Sequence, residues 1–303
     1  MTSDLPELVQ LDDGHATLAV CPAIGGSIAS YTVADGTALF RPSTADDLAS
    51  GSANRLACYP LVPFSNRIAH GRFSFEGTAV ALPLNFAPSA HPIHGFGWQA
   101  AWQVLDRDTR AVRLAHAYDD GPWPWPYRAE QHIRLEQGAL AITLSLSNTG
   151  THAMPFGLGL HPYLPLHGGA RLFARSAGFW STDATLIPQG WCAEPGPMAG
   201  ADGLDVESAL LDTVFGGWDR HAVVRWPDDG VSLALSGSDL AACLVVFTPQ
   251  ADFFALEPVS HMTDAFNRQD DPRSGFRVLA AGAQARLDAR FTPGFASIAG
   301  WSG

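Results

Sequence analysis

Residues 127–147, YRAEQHIRLEQGALAITLSLS, alternate apolar and polar side chains on both sides of Gln137-Gly138. In the second half Leu140, Ile142, Leu144 and Leu146 fall on one face, with small or polar residues between them. A period of two belongs to a half-buried strand. Two such runs around a Gly-containing dipeptide predict an antiparallel hairpin.

Similar strands are predicted at 16–20, 27–33, 72–75, 102–106, 112–118, 231–236, 242–248 and 286–291. Gly (30 residues) and Pro (22) are spread along the whole chain, where they end strands and break helices. No stretch of a dozen residues carries a helical stripe, and 202–211 is the best candidate for a short helical turn. Many strands with evenly distributed turns predict an all-β sandwich or barrel. No linker-like shift and no internal repeat divides the chain, so residues 1–303 are expected to form a single domain. Residues 41–54 and 188–203 read as surface loops, and 297–303 as a frayed tail.

Net charge is −12. An acidic surface repels nucleic acid and anionic membrane, which leaves a neutral small molecule as the expected partner. All 18 basic residues are Arg. Without Lys there is no Schiff-base chemistry on this chain and no P-loop. The four Cys, at 21, 58, 192 and 243, have no CxxC spacing and read as small buried hydrophobes. The acidic N-terminus resembles no signal peptide and no apolar run reaches membrane-spanning length, so a cytoplasmic location is expected.

Four polar clusters stand out. In FFALEPVSHMTDAFN (253–267) an apolar run leads to Glu257, read as the end of a buried strand before a Pro-containing turn. Burial raises a carboxyl pKa, which suits a general base; the alternative is a turn acid after a core strand. In GLHPYLPL (159–166) Pro162 holds His161 in extended backbone beside Tyr163. In HPIHGFGW (91–98) His91 and His94 are flanked by glycines that permit tight turns. In SNRIAHG (65–71) Arg67 offers a fixed fork of donors for hydroxyl or carboxylate oxygens, or else a structural salt bridge. A metal reading joins His91, His94, His161 and Glu257 in a cupin-like site, although HxxH on a loop is a weak signal. Nine Trp, and WPWPY at 123–127 in particular, offer flat faces of the kind that hold sugar rings.

On these residues the chain resembles the aldose 1-epimerase (galactose mutarotase) family. NRI with its following Gly-x-Phe, HPIHGFGW, HPY and LEPVSHMTDAFN occur in the family's order, and the resemblance runs from about residue 25 to 291. It implies a β-supersandwich of large antiparallel sheets with an aldose held in a cleft on a concave side. It also implies Glu257 as catalytic base and His161 as acid, with Asn66, Arg67, His94 and Tyr163 around the sugar. LLDTVFGG (210–217) resembles a sugar-binding motif and makes Asp212 a candidate for hydroxyl recognition. Val245 stands where the family often has Gln, which implies one sugar contact fewer.

The implied reaction opens the ring to the aldehyde and recloses it on the other face. A base takes the anomeric proton while an acid protonates the ring oxygen, and neither metal nor organic cofactor is expected. The acid and base are expected on opposite sides of the ring. Two other readings are open at this point: a non-catalytic carbohydrate-binding sandwich and a cupin-like metalloenzyme.

Overall fold

The computed structural model describes residues 5–166 and 168–295; the tail expected to fray lies outside them. The hairpin forms as its pattern predicts. Tyr127–Glu136 pairs with Ala139–Asn148 from Tyr127 opposite Asn148 to Glu136 opposite Ala139. Gln137 and Gly138 close it with φ of 52° and 81°, the left-handed pair that a two-residue turn requires.

This hairpin lies in a nine-stranded sheet, whose order continues through Gln284–Phe295, Val231–Gly237 and His221–Trp226 on one side and Ala111–Tyr118 on the other. The second sheet has eleven strands and carries the candidate site. Its middle runs Ser27–Val33, Cys58–Leu61, Gly159–Pro165, Phe253–Val259, Cys243–Phe247 and Asp212–Gly216. All pairings within both sheets are antiparallel. Leu140, Ile142, Leu144 and Leu146 join Tyr31, Phe40 and Phe291 in one buried core, and the Tyr31 hydroxyl donates to the Gly138 carbonyl at 2.5 Å, joining the hairpin turn to the larger sheet. Burying these side chains contributes roughly 1.5–3 kcal/mol each, which is why the period of two determines the class.

Three expectations need correction. The 41–54 segment contains a helix, Ala45–Ala49, closed by a Thr44–Asp47 capping box; the T-x-x-D signal was present in the sequence. Pro188–Cys192 is an edge strand paired with Gly178–Thr182, and Pro is tolerated there because it opens an edge strand. The 202–211 stretch has no helix; Leu204–Asp205 pairs with Arg171–Ala174, after Gly203 turns the chain at φ 63°. Cys21, Cys58 and Cys243 are buried and free, as small hydrophobes, while Cys192 is partly exposed.

Candidate functional site

Strand alternation and register assemble the site. Gly159 opposes Val259 and Tyr163 opposes Ala255, which sets His161 and Glu257 on one row of the sheet. The same row continues to Tyr59 beside His161 and to Val245 beside Glu257. One row along, Asp212 opposes Phe247. The intervening residues Leu160, Leu164, Phe254 and Leu256 face the core and are buried. Glu257 therefore sits inside a strand that runs unbroken to Val259, not at a strand end before a turn. Pro258 holds Glu257 extended just as Pro162 holds His161.

Two loops complete the cleft. The 91–98 segment bridges to the 62–67 segment at Val62–Gly95 and Arg67–Ile93. Gly95 has φ 73°, and a Cβ there would lie 2.2 Å from the Val62 carbonyl oxygen. Asn66 and His94 also take left-handed backbone, at φ 53° and 64°. The Asn66 N–H donates to His94 Nδ1 at 3.0 Å, so the neutral ring carries its proton on Nε2. Asn66 Oδ1 accepts from Arg67 Nη1 at 3.2 Å, and Arg67 Nη2 reaches Asp212 at 3.5 Å.

The end of the LEPVSHMTDAFN motif clamps this loop. His261 Nδ1 bonds the Met262 carbonyl at 2.7 Å, leaving Nε2 to accept the Ser65 N–H at 3.2 Å. Asp264 donates its N–H to the Arg67 carbonyl at 2.8 Å and accepts the Ala69 N–H at 2.9 Å. His91 takes no part in the cleft. It accepts from the His70 N–H at 2.9 Å and bonds Thr185 Oγ1 at 3.1 Å, a structural role that removes it from the expected metal set.

The cleft has a volume of about 260 Å³ and is lined by Tyr59, Asn66, Arg67, His94, Trp98, His161, Tyr163, Asp212 and Glu257, among others. That lies below the roughly 300–1,000 Å³ typical of pockets for drug-sized ligands and suits a single sugar ring. All seven residues named from the resemblance meet here. Tyr59, Trp98, Phe247 and Phe253 join them unannounced, since isolated aromatics in apolar runs carry no signal separate from core. Trp123 and Trp125 do not supply a sugar platform: both are buried and packed against Phe73, with Trp123 also near Phe266. A larger concavity of about 560 Å³ lies on the nine-stranded sheet. Its charged groups satisfy one another, Glu136 with Arg134 and Arg290, and Asp288 with Arg286.

His161 Nε2 and Glu257 Oε1 are 3.2 Å apart. His161 Nδ1 and Glu257 Oε2 are buried and have no hydrogen-bond partner among the described residues. Burial pushes His161 from its ordinary 6.5 down to about 3, with the Arg41 and Arg67 guanidiniums acting in the same direction. Burial, then the Asp212 carboxylate, pushes Glu257 well above the carboxylate range, with Arg67 opposing. Burial likewise holds His94 well below its usual value and raises Asp212, the latter against Arg67. Both shifts disfavour the charged form of each group, and the contact lets a proton pass directly between them. The two residues that the resemblance implies as acid and base are therefore neighbours on one row of the sheet.

His94, His161 and Glu257 each present a ligand-type atom within 4.8 Å of the others, a spacing that a metal ion fits. The His94 tautomer does not suit it. Nδ1 already accepts the Asn66 N–H, and the remaining nitrogen is an N–H donor, so ligation requires breaking that bond or forming an imidazolate.

Among the described residues no helix is long and apolar enough to cross a membrane. Comparison with known proteins agrees with the geometry. Residues 7–292 match the family model for aldose 1-epimerase. The uncharacterized protein YphB of Escherichia coli K12 is 29% identical over 265 residues, covering 84% of this chain and 89% of YphB. A provisionally named aldose 1-epimerase of Escherichia coli K12 superposes with TM-score 0.84 at 29% identity, over 95% of this chain and 99% of that one. A galactose mutarotase-like protein of Clostridium acetobutylicum shares the fold at TM-score 0.85 and 18% identity, over 97% of this chain and 100% of its own. By the match that runs nearly end to end, the chain belongs to the aldose 1-epimerase family.

Proposed function

We propose that the protein interconverts the α and β anomers of an aldose, with Glu257 as base and His161 as acid. The observation that carries this reading is the buried His161–Glu257 contact at 3.2 Å, with one unpartnered polar atom on each residue. Pure sugar binding has no need of a buried acid–base pair. The proton balance works without exchange with solvent. Shifting the shared proton onto His161 yields a carboxylate beside an imidazolium. Glu257 then takes the anomeric hydroxyl proton, the bond from C1 to the ring oxygen breaks as C1=O forms, and the ring oxygen takes the imidazolium proton. The pair is left neutral again, which burial favours, while the open sugar rotates about C1–C2. Reclosure on the other face reverses each transfer. Both reacting oxygens are bonded to C1, so an acid and a base side by side can serve them together.

His94 Nε2–H is the fixed donor beside this pair and supports charge developing on a sugar oxygen. Arg67 and Asp212, paired with each other, offer a donor fork and an acceptor to ring hydroxyls. Val245 places a methyl-bearing side chain beside Glu257 where a polar contact is common in the family, which shifts preference among aldoses. Polarimetry of freshly dissolved α-anomers across a panel of aldoses tests the reading. Glu257→Gln is expected to lower the rate by about two to four orders of magnitude. A variant that keeps more than about a tenth of the rate, little over 1 kcal/mol of barrier, removes Glu257 from the role of base.

A further inference from the structure

A histidine ring is ordinarily oriented, and its tautomer chosen, by the bond that its second nitrogen makes. His94 follows that rule through the Asn66 N–H. His161 does not: its buried Nδ1 has no hydrogen-bond partner among the described residues. What surrounds the imidazole instead is aromatic. Tyr59 stands directly opposite His161 on strand Cys58–Leu61. The two rings are nearly parallel, at 21°, with centres 4.6 Å apart, which is stacking contact. Tyr163 packs its ring 4.6 Å from the same imidazole at 49°.

Tyr59 is itself fixed from several sides. It stacks on Trp98 at 5.6 Å and 29°, and Trp98 Nε1 donates to the Gly95 carbonyl at 3.2 Å. The His94 ring meets it edge-on at 6.0 Å. The Tyr59 and Tyr163 hydroxyls share a hydrogen bond. Tyr59 thus ties the loop that bears His94 to the strand that bears His161, and it lines the cleft. Core packing alone accounts for its burial, but not for a flat face laid against the imidazole. That face matters when His161 gains its proton. Burial and the Arg41 and Arg67 guanidiniums all oppose a positive charge there. An aromatic face attracts a cation, most strongly where water is excluded. Tyr59 stays a neutral phenol, since burial holds it well above its ordinary range.

Resting on the epimerase reading, we propose that Tyr59 is a positioning residue for the acid. Its ring face fixes the His161 imidazole and favours the imidazolium that delivers the proton. The hydroxyl pair with Tyr163 serves to hold that ring in place.

Steady-state anomer exchange across a panel of aldoses, with NMR of isotope-labelled histidine, tests this in wild type, Tyr59→Phe and Tyr59→Met. Tyr59→Met fills the space without a π face. It is expected to lower kcat by about ten- to a hundredfold with KM within about threefold, as misplacing a reacting group does. Tyr59→Phe restores the face and is expected to recover kcat to within about threefold of wild type. The His161 Cε1–H resonance is expected to be displaced by ring current in wild type and Tyr59→Phe. In Tyr59→Met it should move toward the position of free histidine. Tyr59→Leu is the second apolar variant if Tyr59→Met does not fold; should neither fold, Tyr59→Phe decides alone. A folded apolar variant with wild-type kcat overturns the proposal, and so does a loss confined to KM, which reports a misshapen cleft. A Tyr59→Phe as slow as Tyr59→Met also overturns it, by moving the role to the hydroxyl. Wild-type protein that turns over no aldose removes the epimerase reading. The His161 resonance then decides on Tyr59: a shift in Tyr59→Met supports the positioning contact, and an unmoved resonance overturns it.

Discussion

Asn66 and His94 hold each other by two reciprocal bonds. The His94 N–H donates to the Asn66 carbonyl at 3.0 Å, and the Asn66 N–H donates to His94 Nδ1 at 3.0 Å. Both residues sit in left-handed backbone, which non-glycine residues other than Asn and Asp occupy at a cost of about 1–2 kcal/mol. This pairing orients the Nε2–H of His94, and the Asn66 side chain in turn steers Arg67. Backbone conformation and function are therefore coupled at one point. Asn66→Gly is expected to keep stability within about 1 kcal/mol while raising KM through the freed Arg67. Asn66→Ala is expected to lose both stability and activity. Equal melting temperatures for the two variants would show that the left-handed turn is not the constraint.

His94→Asn is expected to lower kcat by about ten- to a thousandfold, because a fixed donor beside developing charge is worth that much. The variant's effect should be smaller than that of Glu257→Gln. Steady-state kinetics of the two variants on one sugar checks the order, and a dead His94→Asn with a nearly normal His161→Asn reverses the assignment of the acid.

Stability should depend on pH through the buried pair, with opposite signs. Glu257 has a raised folded pKa, so the native state keeps a proton that the unfolded chain releases above about 4.5. Its contribution is full below that value and declines as pH rises through the folded pKa. His161 has a lowered folded pKa, so the unfolded chain binds a proton below about 6.5 that the native state refuses until about 3. Stability is therefore lost as pH falls across that window. Each group accounts for at most about 1.4 kcal/mol per pH unit. Urea unfolding from pH 4 to 9 checks this: Glu257→Gln should flatten the alkaline decline, and His161→Asn the acid one. Parallel curves for wild type and both variants contradict the assignment.

Asp264 is a positioning residue for Arg67. It combines φ 58° with a carboxylate that accepts the Ala69 N–H at 2.9 Å and an Asn267 N–H at 2.7 Å. Asp264→Asn retains both the left-handed tolerance and an acceptor and is expected to be mild. Asp264→Ala leaves the part-buried Ala69 N–H without its acceptor in a strained turn and is expected to cost about 1–3 kcal/mol. Thermal unfolding measures the stability term. A rise in KM larger than the fall in kcat for Asp264→Asn, at full folding, reports displacement of Arg67; unchanged KM confines Asp264 to stability.

Activity is expected to survive exhaustive chelation, because the His94 tautomer set by Asn66 presents an N–H where a ligand lone pair is needed. Activity lost to chelator and restored by one equivalent of a transition metal would reinstate a metal reading of the His94, His161 and Glu257 cluster.

The all-β class was legible in residues 127–147 because side chains alternate across a strand whatever lies beyond it, and Leu140, Ile142, Leu144 and Leu146 recorded that local rule. Motif order sufficed to name Glu257, His161, Asn66, Arg67, His94, Tyr163 and Asp212. Pro162 and Pro258, each following one of the proposed acid–base residues, marked locally stiff backbone. Pairing register was not legible, since hydrogen bonds between strands link residues far apart in sequence. Register alone placed Glu257 within its strand and next to His161. The same limit hid which aromatics line the cleft, because burial in core and burial in a site leave the same mark on a sequence; Trp123 and Trp125 went to the core, while Tyr59 and Trp98 went to the site. Arg41 carried no sequence signal: its guanidinium lies over the Tyr163 and Phe253 rings, and its N–H on the Tyr163 carbonyl, only because the folded chain brings residue 41 to residues 163 and 253.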